Sequence, residues 1–143
     1  MRFLADRRGQ YLVQFVIVLP LLLLMIGVVL DGGLMYWQYR RAHIVVNTAA
    51  QAASHCVDID HFRDTNEVIL DKSEARAVAQ EYVALNGGGL VQDASVSLNP
   101  YWVRVSGRAT INTLFLRLFG LGSFSVNVQG LAYPAYGIAQ EGE

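Results

Sequence analysis

The run from Tyr11 to Leu30 limits this chain more than any other stretch. It reads YLVQFVIVLPLLLLMIGVVL, and no charged residue lies between Arg8 and Asp31. Fifteen of its twenty residues are Leu, Ile, Val or Phe. Twenty helical residues extend about 30 Å, the thickness of a bilayer's hydrocarbon core. Each such side chain favours insertion by about 0.3 to 0.6 kcal/mol near the helix centre, and Gln14 and Pro20 reduce the total without reversing it. A buried core helix would need a soluble domain large enough to wrap it. The roughly 110 residues left over make only one small domain. A signal peptide has a shorter apolar core and a small-residue cleavage site. This run is longer and ends in Leu30-Asp31-Gly32-Gly33. The reading is a transmembrane helix.

Its flanks set an orientation. Arg2, Arg7 and Arg8 precede the run, Asp31 follows it, and Arg40 and Arg41 stand two turns further on. The positive-inside rule keeps the amino terminus in the cytoplasm and sends the body of the protein outward, into the periplasm or beyond.

The helical pattern resumes after Gly32-Gly33, a place where the helix is free to bend. Trp37, Arg41, Ile44, Val45, Thr48 and Ala52 recur at i, i+3, i+4 spacing. Tyr36, Trp37 and Tyr39 stand where an interfacial aromatic belt is expected. The alanine-rich stretch Ala49–Ala53 permits close packing of another element. One long helix over residues 11–55 is expected, half spanning and half projecting. Residues 57–70 are polar and read as a loop with room for one short turn. Asp71 opens a second helix, with Glu74 at capping-box spacing and a stripe of Ala75, Val78, Ala79, Tyr82 and Val83. Asn86-Gly87-Gly88-Gly89 ends it, since glycine accepts a left-handed backbone.

The period then changes to two. Ala94, Val96 and Leu98 alternate with polar residues, as do Val103, Val105, Ala109 and Ile111, and later Phe124, Val126 and Val128. Asn99-Pro100 marks a turn between the first two strands. Before the third lies Leu114-Phe115-Leu116-Arg117-Leu118-Phe119, read as a short helix capped by Thr113. This apolar segment is either buried on the sheet or a partner site. The tail from Tyr136 reads as flexible. The fold class is α+β: a long N-terminal transmembrane helix, then a second helix packed on a small antiparallel β-sheet.

Little in the sequence points to chemistry. The net charge of −1 gives no electrostatic case for nucleic acid. One cysteine, Cys56, excludes an internal disulfide framework. The acidic residues of the 57–70 loop miss EF-hand spacing, and His55, Cys56 and His61 lack the second ligand pair of a zinc site. No nucleophile elbow, HExxH or phosphate loop is present. An enzyme is not expected, nor a cofactor, a metal or a small-molecule substrate.

One stretch carries a family likeness. Arg7-Arg8-Gly9-Gln10-Tyr11-Leu12-Val13-Gln14-Phe15, followed by Val18-Leu19-Pro20 and a leucine run, resembles the N-terminus of TadE-like proteins. These are pilin-like components of bacterial tight-adherence (Flp pilus) systems. The resemblance is dense from Arg8 to Leu24. It thins to an echo at Asp31-Gly32-Gly33, where the family has E-F-G. It implies a pilin-like fold in the bacterial inner membrane, with other pilin-like subunits of the same system as partners. It implies a leader of residues 1–9 cut by a prepilin peptidase between Gly9 and Gln10. Residues 10–56 are then the spanning and projecting helix, and 57–143 the outer head. Gln14, Phe15 and Pro20 fall at positions of spine packing and assembly. Gln14 stands where the family has glutamate, whose charge in pilin-like proteins compensates the first amine of a neighbouring subunit. An amide carries no charge. The resemblance therefore implies a minor pseudopilin in pilus assembly. The alternative is an unprocessed single-span protein whose outer domain binds a protein partner.

Overall fold

The computed structural model describes residues 7–134. The tail from Tyr136 and the leader residues before Arg7 lie outside them. The order of elements is α1 (Arg7–Ser54), α2 (Ile59–Thr65), α3 (Lys72–Asn86), β1 (Val91–Asn99), β2 (Trp102–Asn112), a 3₁₀ turn (Leu116–Phe119) and β3 (Ser123–Ala132). The chain falls into two compact units. One is the chain up to Tyr36 together with Asn112–Ser123. The other is Trp37–Ile111 together with the chain from Phe124 on.

In the first unit, α1 carries the apolar run. It stays helical through Pro20 and through Gly32-Gly33. Between Tyr11 and Leu30 every side chain is exposed, and Gly27 is the one buried residue. Burying no stripe of its own, this helix surface suits lipid or other helices on all sides.

The second unit holds the core. The C-terminal part of α1 contributes Ala42, Val45, Val46, Ala49, Ala50 and Ala53. This is a different stripe from the one the spacing of Trp37, Arg41 and Ile44 suggests. Those three are exposed, and the Arg41 guanidinium lies over the Trp37 ring, 5.7 Å from its centroid. The small face wins because the sheet comes in to backbone distance. A Cβ added at Gly130 of β3 would stand 2.5 Å from the Cα of Asn47 and from the carbonyl oxygen of Val46. Large aromatic side chains on that face would hold the strand away. Helix α3 adds Ala75, Ala79 and Val83 and packs against β1.

The sheet is three strands in the order β1-β2-β3. Strands β1 and β2 are antiparallel, with Asn99 opposite Trp102 across a two-residue turn. Strand β1 begins at Val91, three residues earlier than its alternation suggests. A bulge between Gln92 and Ser95 puts one extra residue on β1, and Asp93 there has a φ of 51°. The bulge breaks the period of two and hides the first part of the strand. Gly107 keeps the inward face of β2 open for Val91, whose Cγ1 would lie 2.6 Å from an added Cβ.

One local expectation is corrected. Residues 59–65 form the short helix α2 within the supposed loop. Asp58 caps it by accepting from the His61 amide, and Asn66 ends it at a left-handed φ of 55°. A helix of seven residues with no buried side chain leaves no apolar period to read. The glycines after α3 end it as expected: Gly87 is a right-handed C-cap, and Gly88 behind it is left-handed, as is Gly89.

Candidate functional site

The apolar spine and the segment tied to it form the candidate site. Asp31 follows directly on the uncharged run and is 0 % exposed. Its Oδ1 accepts hydrogen bonds from the backbone N–H groups of Leu114 (2.7 Å) and Phe115 (3.1 Å). Its Oδ2 accepts from Phe115 (2.9 Å) and Leu116 (2.6 Å). One carboxylate thus satisfies three successive amides at the start of the 3₁₀ turn. The first turn of a helix leaves such donors without partners, and an acidic group is their strongest acceptor. The cap is unusual only in coming from more than eighty residues earlier in the chain.

Thr113 was the cap expected from the sequence, and it does another task. Its Oγ1 donates to the Leu121 carbonyl, and its backbone N–H donates to the Gly122 carbonyl at 3.1 Å. These bonds close the base of the segment. Gly120, at a φ of 84°, ends the turn, and its N–H donates to the Arg117 carbonyl.

Packing repeats what the hydrogen bonds do. The Phe115 ring lies on α1 at Gly27, where an added Cβ would meet Cγ and Cδ1 at 2.9 Å. Beside this contact runs an apolar groove of about 570 Å³. Pro20, Leu23, Leu24 and Val28 line one wall, and Phe115, Leu116, Leu118 and Phe119 the other. The apolar segment read above as a sheet-buried or partner-binding piece therefore makes its contact with α1. Leu114, Leu118 and Phe119 stay exposed.

The residues singled out in the sequence lie along the same helix. Gly9 and Gln10 are both within α1, whose first residue is Arg7. Gly9 is exposed, with open space where a side chain would stand. Gln14 and Phe15 are exposed on the spine, and Pro20 joins the groove. Among the described residues, the structure brings neither Gly9 nor Gln14 to another element. Asp31 entered the sequence reading only as a flanking charge and part of a motif echo, and its role as a cap was missed. The available signal was a lone carboxylate bordering an uncharged run.

Elsewhere the polar chemistry is structural. Tyr101 Oη donates to Glu67 Oε1 at 2.6 Å, and this bond holds the Glu67 carboxyl below its ordinary range. The Ser73 hydroxyl does the same for Asp71, at 2.6 Å, helped by the amides of Glu74 and Ser73. Burial raises the Cys56 thiol, with Glu74 and Asp71 adding to it, so the thiolate form is disfavoured. Among the described residues no group of three His, Cys, Asp or Glu side chains is placed to hold a metal ion.

The family model described as TadE-like protein matches residues 9–54. No curated protein and no solved structure matches the chain. The matched residues end where α1 ends, at Ser54, and include the apolar run, Asp31 and the alanine face. Residues 9–54 of this chain are a TadE-like domain.

Proposed function

We propose that this protein is a membrane-anchored, pilin-like subunit that takes part in assembling a tight-adherence (Flp-type) pilus, as a minor component. The observation that carries the reading is the spine. It is an apolar helix from Tyr11 to Leu30, exposed except at Gly27, and inside a TadE-like domain. Such a surface suits acyl chains before assembly and neighbouring spines after it. Its partners are then the inner membrane, a prepilin peptidase and other pilin-like subunits. The amino terminus lies in the cytoplasm and the α+β head outside. Residues 1–9 act as leader, 10–56 as spine and 57–143 as head.

The role as a minor component rests on Gln14. After cleavage at Gly9–Gln10 it is the fifth residue of the chain, with Phe15 and Pro20 on the same spine. Its amide offers a hydrogen-bond acceptor but no charge to offset a neighbour's first amine. An unpaired amine inside an apolar bundle is costly, so a homopolymer is disfavoured and a partner that supplies a carboxylate is preferred.

A second reading has one observation in its favour. Helix α1 begins at Arg7, so the Gly9–Gln10 bond lies within a formed helical turn and must unwind to be cut. An unprocessed single-span protein, with a head that binds a protein partner, needs no such step. Intact mass of the membrane-extracted protein separates the two. Loss of Met1–Gly9 in cells with an active peptidase, and retention in a Gly9→Val variant, is expected. Retention of the leader in the unaltered protein under those conditions selects the second reading.

A further inference from the structure

We propose that residues 114–121 are a second membrane-inserted element. They sit in the acyl chains of the leaflet that holds the C-terminal half of the apolar run. The proposal rests on the membrane reading above and concerns a different part of the chain.

Depth comes first. Pro20, Leu23, Leu24 and Val28 form one wall of the groove and Leu118 and Phe119 part of the other. At 1.5 Å rise per residue, Val28 lies about 3 Å and Pro20 about 15 Å along the axis from Leu30. A run of twenty residues fills the hydrocarbon core, so residues packed beside Pro20–Val28 share its depth. The segment cannot stay in water while that part of α1 is in lipid.

Surface chemistry agrees. Leu118 is 80 % exposed and Phe119 68 %. Side chains of this size left open to water are unfavourable, and the same side chains against acyl chains are not. Arg117, exposed on the same turn, has a long stem that lets its guanidinium reach headgroup phosphates.

The backbone is the deciding observation. Irregular chain is tolerated at membrane depth only when its polar groups are satisfied within the protein. Leu114, Phe115 and Leu116 donate to the Asp31 carboxylate. Leu118, Gly120 and Leu121 donate to carbonyls of the segment itself. Asp31 is itself fully buried, so this cap works without water.

The test uses the full chain with Cys56→Ser, in phosphatidylcholine–phosphatidylglycerol vesicles at high lipid excess. Single cysteines at Leu118→Cys, Val18→Cys and Ser97→Cys carry an environment-sensitive fluorophore. Leu118 is chosen because its side chain is exposed and the label displaces no packing. Probes at 118 and 18 are expected to emit to the blue and to be quenched by spin labels on acyl chains. The probe at 97 should be quenched by aqueous iodide. Iodide access at 118 with shielding at 18 overturns the proposal and leaves the membrane reading standing. Iodide access at both overturns both. Shielding at 118 that disappears when the protein is diluted into more lipid means that a second copy covers the segment, and overturns the proposal as well.

Discussion

The ring of Phe115 rests on the backbone of Gly27, at a distance that leaves no room for a side chain there. An added Cβ would meet Cβ, Cγ and Cδ1 of Phe115 at 3.1, 2.9 and 2.9 Å. These atoms are the root of the Phe115 side chain, so the clash moves the whole segment and not one rotamer. Gly27→Leu should displace it at a cost of about 1 to 3 kcal/mol, typical of overpacking. Tryptic cleavage after Arg117 in detergent is the measurement, and it should be several-fold faster in the variant. Gly32→Ala is the control. Nothing lies within 4 Å of an added Cβ there, and alanine should stabilise the helix by about 1 kcal/mol.

Removing the Asp31 carboxylate should free the segment by another route. Asp31→Ala leaves the N–H groups of Leu114, Phe115 and Leu116 without their acceptor. Their hydrogen exchange should accelerate by about tenfold or more, since a bond to a charged group is among the stronger ones. Asp31→Asn should fall between. It keeps one accepting oxygen and turns an N–H₂ group toward amides that also donate. Full protection in Asp31→Asn would show that geometry matters there and charge does not.

Gly130 tests the second unit alone. Its added Cβ would meet the backbone of Val46 and Asn47 at 2.5 Å, and backbone cannot rotate away. Gly130→Ala should cost about 3 kcal/mol, the upper end for overpacking. For a domain of this size that lowers the thermal midpoint by about 12 °C or more. Circular dichroism at the sheet and helix bands follows it. A drop of only a degree or two would mean that β3 slides off α1 without penalty.

Acid should loosen the region where α3 begins. The Ser73 hydroxyl holds the Asp71 carboxyl low, and Tyr101 does so for Glu67. A carboxylate whose pKa is lower in the folded state adds stability above its unfolded value. That contribution is lost as pH falls through the folded value. The urea midpoint should therefore fall on the acid side, and Asp71→Asn with Glu67→Gln should flatten that fall. An unchanged acid slope in the double variant would place the sensitivity in other carboxylates.

Much of the architecture was readable because its physics is local. An uncharged run declares a spine, Asp71 declares a cap, and alternation in β2 and β3 declares strands. What stayed hidden depended on distant partners or on broken periods. Strand β1 lost its first residues to a bulge at Asp93, and α2 buries nothing. The face of α1 that packs was set by Gly130, more than seventy residues away. At the candidate site, Gly9, Gln10 and Gln14 were visible as a motif. The Asp31 cap was not, because a carboxylate after an apolar run looks the same whether it faces water or three amides. Thr113 looked like the cap because threonine before a turn normally is one.

The Asp31 cap also has a timetable. Its three donors are made 83 to 85 residues after it. At about 5 to 20 residues per second of synthesis, the carboxylate exists for about 4 to 17 s before any of them. Through that interval Asp31 has none of the three amides that later bury it. A bare carboxylate is costly to dehydrate, so it keeps its water until those donors exist. Leu114, Phe115 and Leu116 then replace water as its partners. The tie between α1 and the turn therefore closes late, only after synthesis has passed Leu116.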